Sequence, residues 1–305
     1  MSKKARGNLC LLLCAMFWGS TFVAQILGAD LVGPLNYNFT RFLIGGCSLI
    51  PLVLYRHKKG IAPIPKGFGW LRSGIICGLA LATASAVQQA GMSDVSGAGK
   101  AGFIGALYIL LVPVFRRILG KKIPKTAWPC VGIALVGMYL LCISGPTDLR
   151  MSRGDLLELI SAVFYTCHIL TIDHFAPDGD AVQLSCVQFL TTGLVSLLVC
   201  AVFEGVSPQG IRAAGLSILY AGIFSCGVAY TLQVIGQKDA DPAQASLILG
   251  MESVFSAVFG FLILGERFTL REGIGCLLIL FAVVVGQCGD GMLKRVFIKN
   301  KGERA

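Results

Sequence analysis

Long uncharged apolar runs alternate with short charged clusters along the whole chain. Leu9 to Gly28 is the first such run, with no charged residue in it. A bilayer's hydrocarbon layer is about 30 Å thick and takes roughly 20 helical residues to cross. Further apolar runs are Phe42 to Tyr55, Ile75 to Ser93, Ala101 to Phe115, Val131 to Pro146 and Leu156 to Ile172. Ala181 to Phe203, Ala213 to Gln237, Ala243 to Leu264 and Gly273 to Cys288 complete the set. The pattern predicts ten spans, all helical, because backbone groups in lipid must bond within their own segment. The weakest are the second, whose span takes in Arg41 just ahead of the apolar run, the short fourth, and the sixth, which carries Glu158 and His168.

Composition agrees with an integral membrane protein. The 305 residues are 55% hydrophobic and 14% charged, against about 25% charged in a soluble domain. Lys3, Lys4 and Arg6 before the first run resemble the head of a signal peptide. The run is long for a signal core and no convincing cleavage site follows it, so it is expected to stay as the first helix. Lys and Arg favour cytoplasmic loops. With the N-terminus inside, 19 of the 26 Lys and Arg fall on that side, and ten spans return the C-terminus there. The expected location is the plasma membrane, multi-pass, with both termini cytoplasmic. The net charge of +10 then reflects orientation and contact with anionic headgroups, not nucleic acid. The twelve cysteines have no CxxC spacing and lie mostly in spans, where Cys packs as a small apolar residue. No disulfide framework, metal or cofactor is expected.

The chain repeats itself. At an offset of 147, Phe17-Trp18 fall on Phe164-Tyr165 and Arg41-Phe42-Leu43 on Gln188-Phe189-Leu190. At 145, Gln88, Gly91, Asp94, Gly105 and Gly120 fall on Gln233, Gly236, Asp239, Gly250 and Gly265. Each half holds an odd number of spans, so the second half enters the membrane from the opposite side. Inverted repeats of this kind mark many secondary transporters. The expected fold is an all-α integral membrane protein of ten transmembrane helices built as two inverted five-helix repeats, 1–146 and 147–290, with a basic cytoplasmic tail at 291–305.

WGSTF in the first span, TRFL in the second and GMESVFSAVFGFLILGERFTLREGIGCLLIL in the last two resemble the EamA family of the drug/metabolite transporter superfamily. The likeness covers nearly the whole chain, as two copies of the family's unit. Ser253 stands where the family's ninth-span pattern has proline, and Lys121 where it has an acid after Gly120. The resemblance implies a ten-helix secondary carrier of small organic metabolites.

An ionisable residue in a span usually faces a cavity or a partner. Glu252, near the centre of its span, is read as a proton-sensitive or cation-binding acid, or else as a structural carboxylate. Arg41 has three readings: it holds a substrate carboxylate through its planar fork, which suits an amino acid or related compound; it pairs with Glu158; or it snorkels to the interface. Trp18 sits mid-span, away from the interfaces Trp prefers. With Ser20, Thr21 and Gln25 it makes an aromatic-polar set, and Tyr165 is its repeat mate. Gln88 and Gln233 form another repeat pair, and Tyr108 is a further path candidate. His168 is read as a packing histidine.

GAGKAG at 97–102 matches the dinucleotide fingerprint, but that motif needs a preceding strand and an acid about 20 residues on. Here an apolar span precedes it and Arg116 and Arg117 follow, so Lys100 is expected at the outer headgroups. No ATP-binding P-loop is present. The expectation is a carrier, not an enzyme, moving a small-molecule substrate by alternating access in the direction of efflux, with a proton or other ion as coupling partner. The alternatives are a channel or scaffold, and a Mg-dependent lipid enzyme using the acidic loop Asp173 to Asp180.

Overall fold

In the computed structural model, the described residues are 2–29, 31–65, 67–92, 104–123, 127–143, 152–265 and 269–302. All elements among them are helical. They are α1 (Lys3–Ala29), α2 (Pro34–Lys58), α3 (Gly69–Met92), α4 (Tyr108–Ile118), α5 (Ala127–Cys142), α6 (Arg153–Phe175) and α7 (Ala181–Phe203). After a short helix, Pro208–Ala213, come α8 (Gly215–Asp239), α9 (Pro242–Ile263) and α10 (Leu270–Gly302). Seven of them, α1, α2, α3, α6, α7, α8 and α9, are long and apolar enough to cross a membrane. α5 is apolar but shorter, and α4 runs for 11 residues. The backbone of α10 stays helical through Gly302, so the stretch expected as a tail begins as a continuation of that helix. The GAGKAG segment with Lys100, Asp94 of the repeat, and Glu266-Arg267 lie outside the described residues.

Helix starts follow local chemistry. Ser152 and Asp155 form a capping box on α6, with Asp155 N–H to Ser152 Oγ at 3.1 Å and Ser152 N–H to Asp155 Oδ2 at 2.6 Å, satisfying two donors that an α-helix leaves free. Asp180 caps α7 through the N–H groups of Val182 and Gln183. Asp241 caps α9, and Pro242 takes the first helical position, where a missing N–H costs nothing. Gly265 stops α9 at φ 69°, a conformation a Cβ would disfavour.

Between helices the contacts depend on small residues, as they do where lipid removes the hydrophobic driving force. α2 and α7 cross with a reciprocal fit. A Cβ on Gly46 would lie 2.8 Å from the Leu190 side chain, and one on Gly193 would lie 2.7 Å from that of Leu43. Gly46 and Gly193 occupy equivalent repeat positions, as do Leu43 and Leu190. The same exchange recurs elsewhere. Gly91 of α3 meets the Gly154 carbonyl of α6, and Gly236 of α8 meets the Gly7 carbonyl of α1. Gly137 of α5 and Gly275 of α10 each face the other's carbonyl oxygen. The largest buried cluster gathers Leu11, Ile109, Met138, Leu247 and Ile279 from five helices. Leu198, Val202, Phe203, Leu216 and Leu277 point outward, where acyl chains suit them.

Candidate functional site

Two helices break their regular hydrogen bonding at equivalent places. The chain leading into α4 turns at Ala106 and Leu107 before Tyr108, and α9 turns at Gly250 and Met251 before Glu252. Tight i to i+3 bonds replace the α pattern at both: Ile109 N–H to Ala106 O at 3.1 Å and Ser253 N–H to Gly250 O at 3.2 Å. An interrupted membrane helix exposes backbone and redirects side chains, and binding sites are commonly built there. The two breaks meet. Tyr108 donates its hydroxyl to Glu252 Oε1 at 2.7 Å.

This bond forms one wall of a cavity with about 530 Å³ of space not filled by atoms, its open mouth included. Trp18, Thr21, Arg41, Gln88, Tyr108, Tyr165 and Glu252 all line it. They come from six helices, α1, α2, α3, α4, α6 and α9, and a seventh, α8, adds Ser225 and Tyr230. Thr21 is held by the Phe17 carbonyl at 2.7 Å. Tyr165 donates to Gln88 Oε1 at 2.9 Å. Trp18 stands edge-on to Tyr230, ring centres 4.6 Å apart, and its buried indole N–H has no acceptor.

Arg41 is 3% exposed. Its Nε and Nη2 donate to Asn38 Oδ1 at 3.3 and 3.0 Å, and its guanidinium lies 4.9 Å from the centre of the Phe42 ring. No ion pair joins it to Glu158 among the described residues, so of the three readings of Arg41 the pairing is not made. Nor does Arg41 snorkel, since it turns inward into the cavity wall.

Two candidates fall outside the cavity lining. Glu158 is 1% exposed and lies next to Gly105 and Gln88; its Oε2 accepts from Ser161 at 3.4 Å, while its Oε1 has no hydrogen-bond partner. Gln233 is equally buried among packed helices, with Oε1 unpartnered. The Gln88–Gln233 repeat pair is therefore asymmetric in use: one faces the cavity and the other does not. His168 is fully buried and meets Gln188 Oε1 at 3.2 Å. Sequence reasoning did not single out Tyr230, Ser225 or Asn38. Tyr230 sits in an apolar run where an aromatic residue gives no polar signal. Asn38 was legible, being three residues before Arg41 and so on the same helical face.

At the end of the bundle formed by the start of α1 and the end of α2, ion pairs tie neighbouring helices. Arg6 pairs with Asp239 at 2.7 Å, Arg56 with Asp180 at 2.8 Å, and Arg116 with Asp241. Lys238 donates to the Gly179 carbonyl at 2.6 Å. In the acidic loop, Asp180 is thus occupied as cap and ion-pair partner. The described residues contain no group of three or more metal-binding side chains.

The family model described as "EamA-like transporter family" matches residues 5–143 and again 152–285. The chain belongs to the EamA-like transporter family. An "Uncharacterized transporter" of Archaeoglobus fulgidus is 29% identical to this EamA-like transporter over 93% of the chain and 86% of its own length. The "Uncharacterized transporter YwfM" of Bacillus subtilis is 23% identical over 91% and 92% of the two chains. A chain from a solved crystal structure superposes with a TM-score of 0.78 at 20% identity, covering 96% of this chain and 99% of that one; the likeness is one of fold. The EamA-like transporter is a multi-pass membrane protein of the drug/metabolite kind, and a small molecule is its cargo.

Proposed function

We propose that this EamA-like transporter is a secondary carrier that exports a small organic metabolite across the plasma membrane by alternating access, with both termini cytoplasmic. The observation that carries the reading is the cavity at the Tyr108–Glu252 bond, where two interrupted helices meet inside the bundle. A site at that depth, reached from one side at a time, is what a carrier needs. The ion pairs Arg6–Asp239, Arg56–Asp180 and Arg116–Asp241 support a state closed at their end. The cavity lies nearer the opposite end, since it uses Gln25 late in α1 and Arg41 early in α2.

The architecture behind this reading is ten transmembrane helices in two inverted five-helix repeats, 1–146 and 147–290. The exchanged contacts Gly46–Leu190 and Gly193–Leu43, and Gly91–Gly154 and Gly7–Gly236, support it. Two copies related by a twofold axis would make such contacts in pairs. Energy comes from a proton or another ion, with Glu252 the acid best placed to sense it from the cavity wall.

Counterflow in proteoliposomes tests the carrier. A carrier saturates and its labelled uptake is accelerated by unlabelled substrate on the far side. Flux that neither saturates nor responds to substrate on the far side means a channel; no flux, with ligand still bound, means a scaffold.

A further inference from the structure

We propose that Arg41 is the seat of a substrate carboxylate, so that the solute carried is a small organic acid, free or α-amino. The inference rests on the cavity being the transport site. Arg41 belongs to a built support. The Asn38 amide donates to Ser85 Oγ of α3 and to Ser196 Oγ of α7, each at 3.1 Å. With both donations made, its oxygen is turned toward Arg41, where it accepts from Nε and Nη2. All four residues are buried. Three helices therefore cooperate to fix one guanidinium.

What that support lacks is a counter-charge. No carboxylate lies within 4.0 Å of Arg41 among the described residues, and Asn38 Oδ1 is its one described acceptor. Rings of Phe42 and Tyr37 lie at 4.9 and 5.9 Å. They soften the cost of burying a cation but leave Nη1 without a described acceptor. A buried charge without a partner is costly, and the guanidinium edge matches a planar carboxylate. Trp18 and Tyr230 add aromatic walls to the same cavity. A charged donor fixed from three helices and lacking a counter-charge, in an aromatic cavity, defines an anion-accepting subsite.

The test uses the purified full chain and matched probes. The acids are propionate, isocaproate, hydrocinnamate, alanine, leucine and phenylalanine; the controls are the corresponding amides. Thermal unfolding of wild-type protein should be shifted by acids and not by their amides. Arg41→Gln should weaken the responding acid by about tenfold or more, the loss expected for a hydrogen bond to a charged group. Arg41→Lys should restore part of it, because charge returns without the fork. Asn38→Ala, which leaves Arg41 in place but unsupported, should fall between, and it carries the test if Arg41→Gln does not fold. Amides that bind as tightly as acids, an Arg41→Gln protein that still prefers the acid, or a wild type that responds to no acid overturns the proposal. Counterflow of the bound acid separates the two readings. Binding without flux removes the carrier and leaves the subsite; equal flux of acid and amide removes the subsite and leaves the carrier.

Discussion

The Tyr108 hydroxyl donates to Glu252 Oε1 across 2.7 Å, linking the first residue after the break in one helix to the first after the break in another. Neither residue is close to the other in sequence. Their bond ties α4 to α9 at the cavity wall.

Tyr108→Phe keeps the ring in its packing and removes only the hydroxyl. The lost bond to a charged acceptor is worth about 1.5–3 kcal/mol. The unfolding midpoint should fall accordingly, and if the carboxylate also acts in transport, counterflow per folded molecule falls by about tenfold or more. A lowered midpoint with unchanged counterflow per folded molecule would give the bond a purely structural role.

Glu252→Gln keeps the shape and most of the hydrogen bonding but cannot exchange a proton. In proteoliposomes with the wild-type protein, a proton gradient directed into the cytoplasmic side should accelerate export of the labelled solute. The variant should carry out exchange at near wild-type rate with no acceleration by the gradient. Retention of gradient-driven export in Glu252→Gln would take the proton from this residue and leave another ion or pure exchange.

Gly46→Val and Gly193→Val probe the reciprocal crossing of α2 and α7. In each, new atoms meet a leucine side chain and, at 3.0 Å, that leucine's backbone nitrogen. Overpacking of this kind costs about 1–3 kcal/mol. The two variants should lose similar amounts of thermal stability, because the contacts are equivalent. Thermal melts in one detergent check the pair; a loss confined to one of them would count against the twofold relation.

Breaking the ion pairs at the α1 end should favour the state open at that end. An exposed pair such as Arg6–Asp239 contributes about 0.2–1 kcal/mol, and the closure is shared among three pairs, so single substitutions shift the balance less than all three together. Arg6→Ala, Arg56→Ala and Arg116→Ala combined should raise labelling of a cysteine placed at Thr21 by a reagent confined to that side. Unchanged labelling in the triple variant would mean that packing, not charge, closes this end.

Much of the site was legible one residue at a time. A charged or aromatic-polar residue in an apolar run is costly, so Glu252, Arg41, Trp18 and Thr21 announce themselves. Their convergence was not legible. Arg41 could be paired on paper with Glu158, since both lie near the same end of their helices, yet Asn38 one turn away takes the guanidinium instead. Gln233 looked equivalent to Gln88 because the repeat aligns them, but only Gln88 faces the cavity. Residues aligned at a constant offset along the chain need not share surroundings once the helices pack.

Sequence alone determined the membrane character, the helical content and the likeness between the two halves. These follow from hydropathy, from the need to satisfy backbone groups in lipid, and from residues shared at constant offset. Tertiary structure decided which polar residues meet: Tyr108 with Glu252, Arg41 with Asn38, and Glu158 buried outside the cavity lining. The reason is physical. A run of apolar residues specifies a helix by itself, whereas the rotation and depth at which helices cross depend on close fits such as Gly46 against Leu190. Those fits exist only when all the helices are packed.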